Sequence, residues 1–432
     1  MTPLTIQSDR IQSELKHLAT FTEPAPEGAA KPGATAVTRI VFTEKDRQAR
    51  AYLTQLAEQA NLQIRTDPIG NTFFRWPGSQ PNLPAVATGS HIDAIPNAGM
   101  YDGTVGVLGG LEAIRSLQSA AFQPTRSIEL ILFTSEEPTR FGIGCLGSRL
   151  LSGTLTPQAA QQLRDQQLSG QQLSGQDVLS LDEARTAAGF SGDLESVPLT
   201  PGHYAAFVEL HIEQGPVLER ESLDIGIVTA IAAPAAATIT ITGLGGHAGA
   251  LLMPDRRDAL AAAAELILDV ETAALATNSI DTVATVGICS VFPGAVNSVP
   301  SRVTLSLDVR DIDAPRRDRV LSQITQSCLQ IAKKRKVTID FHLLNADPPA
   351  PCDPKILAAI EEACITTQTT TKHLPSRAYH DTLFMARLCP VAMIFIPCRH
   401  GVSHRPDEYS TPQSITKGTQ ILAQTLAALS MS

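Results

Sequence analysis

Seven side chains that could bind metal or transfer protons fall at the ends of predicted strands or in the loops that follow them. They are His91, Asp93, Asp102, Glu136, Glu137, His211 and His404. Because the carboxyl ends of parallel strands meet at one edge of an open sheet, we expect these side chains to converge there. Imidazole and carboxylate ligands without thiolates suit Zn, Mn, Ni or Co. The pattern therefore predicts a metal centre.

The adjacent carboxylates Glu136 and Glu137 should have different roles at such a centre. Neighbouring side chains at the end of an extended strand cannot point the same way. One carboxylate would bind metal, and the other would stay free as the general base that takes a proton from the attacking water. Asp102 could bridge two ions, and Asp93 could accept the ring N–H of His91 and fix its tautomer. Taken singly, each residue could instead be a helix cap or a surface residue, and only their joint placement favours the metal site.

The strands and helices around these residues indicate an α/β domain. Residues 85–119 predict a strand, a polar loop and a helix, and two further apolar strands are predicted at 128–134 and 205–210. Strands that alternate with helices are typical of a mostly parallel central sheet flanked by helices. We predict this fold class for the part of the chain that carries the metal centre.

A second domain is predicted inside the first. From about residue 225 the strand patterns alternate in polarity, and two long helical patterns intervene at 256–276 and 315–335. This sequence of elements predicts a compact α+β domain. We therefore expect a catalytic domain of residues 1–225 and 347–432, and an inserted domain of residues 226–346.

Three further segments carry candidate substrate-binding residues. His247 lies in the glycine-rich GLGGHAGA, where a ligand could approach the backbone closely, although a hairpin turn would explain the segment equally well. Asn297 and Arg310 could bind a substrate carboxylate, and the alternative for Arg310 is a surface ion pair. Tyr379 and His380, in SRAYHD, open an apolar helix face and could equally cap that helix.

The composition excludes some functions. The 432 residues carry 34 Lys plus Arg and 43 Asp plus Glu, a formal net charge of −9 with His neutral. Such a chain lacks the basic surface that nucleic-acid binding needs. No apolar run approaches the roughly 18 residues of a membrane-spanning helix, and the first residues have no signal-peptide pattern. We expect a cytoplasmic protein that binds neither nucleic acid nor membrane.

The cysteines predict no disulfide framework and no thiolate metal site. There are seven, scattered along the chain without a CxxC pair. This usage fits a reducing compartment. Because a free cysteine behaves as a small hydrophobic residue, we expect all seven, including Cys145, to be packing residues.

Six segments together resemble the dinuclear-metal amidohydrolases of the hydantoinase/carbamoylase family. They are ATGSHIDAIPNAGMYDGTVGVLGGLEAI, FTSEEPTRFG, ELHIEQGPVLE, GGHAGALLMPDRRDA, GAVNSVPS and GVSHRPDEYS. The resemblance extends from about Thr38 to the C-terminus. It implies a zinc-aminopeptidase-like catalytic domain with two divalent ions per subunit, Mn being expected and Zn, Co or Ni possible. It also implies that the inserted domain forms a homodimer and acts as a lid.

The resemblance also implies a role for each candidate residue. The metal ligands would be His91, Asp102, Glu137, His211 and His404, with Asp102 bridging. Glu136 would be the general base, with Asp93 beside it as a further catalytic residue, and His247 would reach the site of the partner subunit to stabilise the oxyanion. The residues that bind substrate would be Gln214, His247, Asn297, Arg310, Tyr379 and His380.

The segment SRAYHD stands where the family more often has SGAGHD. Together with SEEPTRFGIGCLGSRLL, TAIAAPA and MIFIPC, it is similar to the plant-type ureidoglycolate amidohydrolase branch of the family. This similarity implies hydrolysis of the terminal ureido C–N bond of ureidoglycolate to glyoxylate, ammonia and carbon dioxide. Action on N-carbamoyl-L-amino acids or on allantoate is the alternative within the family. A non-catalytic relative that binds a metal or ligand is an alternative of another class.

Overall fold

The computed structural model describes residues 4–24, 35–165, 167–168, 171–172 and 178–431. The chain divides into two compact units. The larger unit holds the chain up to Thr229, Cys352–Leu374 and the chain from His380 onward, and the smaller unit holds Ala230–Pro351 and Pro375–Tyr379. The domain boundaries at 225/226 and 346/347 stay predictions, and this division also assigns Pro375–Tyr379 to the smaller unit.

The larger unit is built on a mostly parallel sheet. Its four central strands run parallel in the spatial order Val391–Ile396, Tyr204–Ile212, Ala85–Ser90 and Ile128–Leu132. Antiparallel strands extend it on both sides, with Ile225–Ile231 at one side and Thr72–Trp76 followed by Gln63–Thr66 at the other. The central strands are buried almost throughout, as expected for parallel strands covered on both faces. The predicted α/β fold with a mostly parallel central sheet is confirmed.

Helices and short strands complete the larger unit. The helices are Ser8–Ala19, Glu44–Gln59, Thr104–Ser119, Leu146–Leu151, Pro157–Gln161, Leu181–Ala187, Val217–Arg220, Pro354–Thr366, Asp381–Met385 and Pro412–Ser430. Val37–Arg39 pairs with Ala94–Ala98, Gln167–Leu168 pairs with Gln171–Gln172, and Thr371–Ser376 pairs with Ile225–Ile231. Leu194–Ser196 and Arg399–Gly401 are 3₁₀ turns.

The smaller unit contains a four-stranded antiparallel sheet and two helices. The strands lie in the order Val283–Phe292, Arg302–Asp311, Ala233–Thr242 and Thr338–Ala346. Helices Ala259–Leu275 and Ala314–Arg335 pack with the buried alternate residues of these strands, including Ile239 and Leu305, in one apolar core. Short strands Gly246–His247 and Ser298–Val299 pair with each other, Ala350–Pro351 pairs with Ala230 and Ile231, and Met253–Asp255 is a 3₁₀ turn.

Among the helices that the structure describes, none combines the length and the apolar character needed to cross a bilayer.

Candidate active site

The carboxyl edge of the four central strands brings the predicted metal ligands together. His91 follows the strand Ala85–Ser90, and the Glu136–Glu137 pair follows Ile128–Leu132. His211 lies near the end of Tyr204–Ile212, and His404 follows Val391–Ile396. Asp102 lies between Ala85–Ser90 and the helix Thr104–Ser119. Parallel neighbours in the sheet place all these positions at one edge, which is where sites form in such folds.

The ligands form two groups that share one carboxylate. In the first group, Asp102 Oδ1 lies 3.1 Å from His211 Nε2 and 3.6 Å from His91 Nε2. In the second, His404 Nε2 lies 3.2 Å from both Asp102 Oδ2 and Glu137 Oε1. Within each group the donor atoms all lie within 4.8 Å of one another. Imidazole and carboxylate donors at this spacing fit divalent metal ions, and each oxygen of Asp102 faces one group.

The carboxylates make this cluster attractive to positive charge. Burial alone would raise the pKa of Asp102, but hydrogen bonds from His211, His404 and His91 hold it well below its usual value. Hydrogen bonds to Asp102 and Glu137 in turn raise the pKa of His404 to about 11. Ionised carboxylates that stabilise cationic partners so strongly also favour a bound metal ion.

Glu136 lies beside the first group but is not a member of either ligand group. Its Oε2 is 3.7 Å from His91 Nε2, and the residue is only 9% exposed. Burial raises the pKa of Glu136 well above the usual carboxyl value; His91 opposes this shift and the negative charge of Glu137 adds to it. A carboxylate of raised pKa accepts a proton more readily, which suits the predicted general base.

Asp93 holds the loop that carries the two glutamates. Its Oδ1 accepts a hydrogen bond from the backbone N–H of Glu136 at 3.2 Å, and its Oδ2 accepts one from that of Glu137 at 3.0 Å. His91 Nδ1 lies 3.0 Å from the main-chain oxygen of Asp93 and 3.7 Å from its Oδ1. The His91 ring is therefore oriented by the backbone of Asp93, whereas the sequence suggested its carboxylate.

Two residues near Asp102 were not singled out from the sequence. Glu408 Oε1 accepts hydrogen bonds from the backbone N–H groups of Tyr101 and Asp102, at 2.9 and 3.0 Å. The hydroxyl of Ser403 lies 2.8 Å from Glu408 Oε2 and 2.9 Å from Asp102 Oδ2. Both residues flank His404 in GVSHRPDEYS, and this proximity is the signal in the sequence that could have identified them.

Gln214 and His380, both predicted to bind substrate, lie against metal-ligand candidates. Gln214 Nε2 donates to Asp102 Oδ2 at 2.8 Å. The His380 ring is buried, with its centroid 4.5 Å from that of His211. Glu209, His211 and His380 form a third group of possible donors. Glu209 accepts hydrogen bonds from the hydroxyls of Ser90 and Thr382.

The smaller unit brings its predicted substrate-binding residues together in two pairs. His247 and Asn297 are exposed neighbours, since His247 pairs with Ser298 and the backbone of Asn297 accepts a hydrogen bond from that of Ala248. Arg310 forms a two-point ion pair with Asp308, at 2.8 and 3.0 Å, and its Cζ lies 5.4 Å from the centre of the Tyr379 ring. Their roles in substrate binding stay predictions.

Comparisons with known proteins identify the family. The model of the peptidase family M20/M25/M40 matches residues 87–428. The chain belongs to this family. It is 51% identical to a ureidoglycolate hydrolase from Arabidopsis thaliana over 434 residues, which cover 99% of this chain and 88% of the relative. It is 38% identical to an N-carbamoyl-L-amino acid amidohydrolase from Geobacillus stearothermophilus over 422 residues, with 98% of each covered.

Solved structures give the same assignment. The crystal structure of AtUAH in complex with (S)-hydroxyglycine matches with a TM-score of 0.88 at 51% identity, covering 99% of this chain and 98% of that one. The predicted resemblance to the hydantoinase/carbamoylase amidohydrolases is confirmed. The chain is a metal-dependent hydrolase of C–N bonds, and the two ligand groups are the candidate metal site.

Removing the Ser403 hydroxyl should weaken metal binding. We expect Ser403→Ala to raise the metal dissociation constant by about 10–100-fold, because residues that hold a ligand in place typically contribute that much. Competition with a chelator of known affinity measures the constant. Ser410→Ala is the control, since the Ser410 hydroxyl donates to the main-chain oxygen of Pro397. Equal constants for the two variants would show that Ser403 does not support Asp102.

Proposed function

We propose that this enzyme hydrolyses the terminal ureido C–N bond of ureidoglycolate. The observation that carries the proposal is the 51% identity, over 99% of the chain, to a relative named ureidoglycolate hydrolase. AtUAH, whose sequence is also 51% identical to this chain, has been solved in complex with (S)-hydroxyglycine and with glyoxylate. These are the two molecules expected on the product side. The SRAYHD segment, which carries Tyr379 and His380, supports the same substrate.

The proposed metal centre holds two divalent ions, with Mn expected and Zn, Co or Ni as alternatives. His91, His211 and Asp102 would hold one ion, and Asp102, Glu137 and His404 the other. Bound divalent ions polarise the attacked carbonyl and lower the pKa of water, so that a nucleophile forms near neutral pH.

Glu136 moves the proton in the proposed reaction. Its carboxylate accepts a proton from the attacking water, and the water oxygen bonds to the carbamoyl carbon. Glu136 then gives the proton to the nitrogen that stays on the hydroxyglycine, as the bond between this nitrogen and the carbamoyl carbon breaks. The products are carbamate, which decomposes to carbon dioxide and ammonia, and hydroxyglycine, which collapses to glyoxylate and a second ammonia.

The remaining predicted residues bind the substrate in this proposal. Arg310 and Asn297 hold its carboxylate, because a guanidinium can donate two parallel hydrogen bonds to a carboxylate. Tyr379 and His380 contact the small hydroxylated acid. Gln214, placed against Asp102, contacts the substrate next to the metal centre.

We further propose a homodimer formed through the smaller unit, which serves as dimerisation domain and lid. Val283–Phe292 lies at the edge of its sheet, and Ile288 and Phe292 on this strand are 60% and 55% exposed. An exposed apolar edge strand is suited to pairing with a second copy. In the dimer, His247 of one subunit would donate a hydrogen bond to the oxyanion formed in the site of the other.

The cytoplasm is the proposed location of the reaction. All seven cysteines are free thiols in the structure, and six of them are buried. Free thiols throughout a chain are typical of a reducing compartment.

The alternatives differ in the size of the substrate. The relative from Geobacillus stearothermophilus is named for N-carbamoyl-L-amino acids, and a 33% identical relative from Bacillus subtilis is named allantoate amidohydrolase. Our proposal places the bulky Tyr379 where it closes a small pocket, which would exclude large side chains. A non-catalytic relative is disfavoured because the five ligand positions and Glu136 are all filled.

A substrate panel tests the proposal. We expect ammonia release from ureidoglycolate to exceed that from allantoate, N-carbamoyl-L-alanine and N-carbamoyl-β-alanine, in enzyme stripped of metal and reloaded with Mn, Zn, Co or Ni in turn. Preference for a carbamoyl amino acid would overturn the substrate but keep the chemistry. No ammonia from any substrate with any metal would favour the non-catalytic alternative.

Replacing the proposed base should greatly lower turnover while the metal stays bound. We expect Glu136→Gln to lower kcat by about 10²–10⁴-fold, the usual contribution of a general base. Metal content, measured by mass spectrometry, should remain that of the wild type. Activity within about tenfold of wild type would contradict this role for Glu136.

Mixed dimers test whether His247 acts across the interface. His247→Ala and Glu136→Gln homodimers should both be nearly inactive. Heterodimers of the two, co-expressed with different tags and purified on both, contain one site with an intact base and an intact partner His247, so activity should partly return. Purified heterodimers as inactive as their parents would show that His247 does not act in the partner's site.

A further inference from the structure

The carboxylate of Glu136 receives a hydrogen bond from a thiol. Cys145 Sγ lies 3.3 Å from Glu136 Oε1, a normal length for a sulfur donor. Among the residues that the structure describes, Cys145 is the only one whose side chain donates a hydrogen bond to this carboxylate. The other oxygen, Oε2, lies on the side of His91, at 3.7 Å from its Nε2. The thiol therefore fixes which oxygen is held and which faces the metal ligands.

The backbone fixes the distance between the two residues. The N–H of Cys145 donates to the main-chain oxygen of Glu136 at 2.7 Å. The next two residues continue this pairing, since the N–H groups of Leu146 and Gly147 donate to Ser135 and Thr134, both at 2.8 Å. Cys145 itself is fully buried and has a φ of 54°, in the left-handed region. These main-chain bonds fix the backbone of Cys145 beside that of Glu136, so the thiol stays within reach of the carboxylate.

A thiol has the chemistry to orient a base without weakening it. The S–H group is a weak donor, so it stabilises the ionised carboxylate less than a hydroxyl would. Burial raises the pKa of Cys145 well above its usual value, and the negative charges of Glu136 and Asp381 add to this, so the thiol keeps its proton and remains a donor.

We propose that Cys145 is a positioning residue that orients Glu136 for proton transfer. The S–H···Oε1 hydrogen bond holds the carboxylate so that Oε2 is presented to the attacking water. This inference rests on the proposed function, in which Glu136 is the general base. It also changes the expectation drawn from the sequence, where Cys145 was a packing residue like the other six cysteines.

Alanine and serine variants separate orientation from packing. Cys145→Ala and Cys145→Ser leave side chains of similar small size, and only serine keeps a donor. We expect Cys145→Ala to lower kcat by about tenfold, because small misplacements of a catalytic group have large effects. KM, metal content and melting temperature should stay close to those of the wild type. Cys145→Ser should retain more of kcat than Cys145→Ala.

Cys389 provides the matched control. It is also buried, and its thiol donates to the main-chain oxygen of Met385 rather than to a glutamate of the site. Cys389→Ala and Cys389→Ser should therefore leave kcat unchanged. A loss of kcat in Cys389→Ala equal to that in Cys145→Ala would assign both effects to packing and overturn the inference.

A double-mutant cycle tests whether Cys145 acts through Glu136. In a Glu136→Gln background, adding Cys145→Ala should change the residual kcat by less than about twofold, because effects transmitted through one residue are not additive. A tenfold loss in both backgrounds, or none in either, would overturn the inference.

The same assay distinguishes this inference from the proposed function. It uses whichever substrate of the panel the wild type hydrolyses, so a wrong choice of substrate does not affect it. A fully active Glu136→Gln variant would overturn both the general base and the role of Cys145. An inactive Glu136→Gln variant beside a fully active Cys145→Ala variant would overturn the role of Cys145 alone.

Discussion

The carboxylate of Asp102 is the group on which the rest of the site depends. Its two oxygens face different sets of imidazoles, with His91 and His211 on one side and His404 on the other. A buried charge of this kind is costly unless it is paired and hydrogen-bonded. The fold meets this requirement by bringing donors from distant parts of the chain, among them Ser403 and Gln214.

The loop around Asp102 can approach the ligands only because of a glycine. Gly103 has a φ of 65°, and a Cβ added there would lie 2.5 Å from the His91 ring and 2.6 Å from the His91 main-chain oxygen. A side chain at this position would displace His91 or strain the backbone, so glycine is required for both conformation and space. Glu408 also holds this loop, because its carboxylate accepts a hydrogen bond from the backbone N–H of Asp102. The position of Asp102 between the two ligand groups is thus set by packing and by hydrogen bonds to the main chain.

The different roles of the two glutamates follow from how their backbone is held. The carboxylate of Asp93 accepts hydrogen bonds from the backbone N–H groups of both Glu136 and Glu137, which fixes the peptide between them. From this point Glu137 reaches His404, while Glu136 lies between His91 and Cys145. Neighbouring carboxylates would otherwise compete for the same metal ion. Their separation keeps one of them free for proton transfer in the proposed reaction.

The sequence predicts the parts of the site that follow from periodicity and strand ends. His91, Glu137 and His211 could be placed near each other because buried apolar strands lead directly into them. Ser403 and Glu408 were not predicted, because only their proximity to His404 in GVSHRPDEYS marks them and their partner Asp102 lies about 300 positions away.

The sequence also left open which partner a polar side chain takes. Arg310 is paired with Asp308, two residues away on the same strand, which is the ion-pair alternative that the sequence offered beside the binding of a substrate carboxylate. The sequence indicated only a packing role for Cys145, because the contact of its thiol with Glu136 depends on how the chain folds.

A crystal structure of the metal-loaded enzyme, with anomalous scattering collected at the absorption edge of the bound metal, would show directly whether Asp102 lies between two ions. We expect two anomalous peaks per chain, one beside His91 and His211 and the other beside Glu137 and His404, with Asp102 between them. A single peak, or a peak held by Glu209 and His380 in place of Asp102, would contradict it.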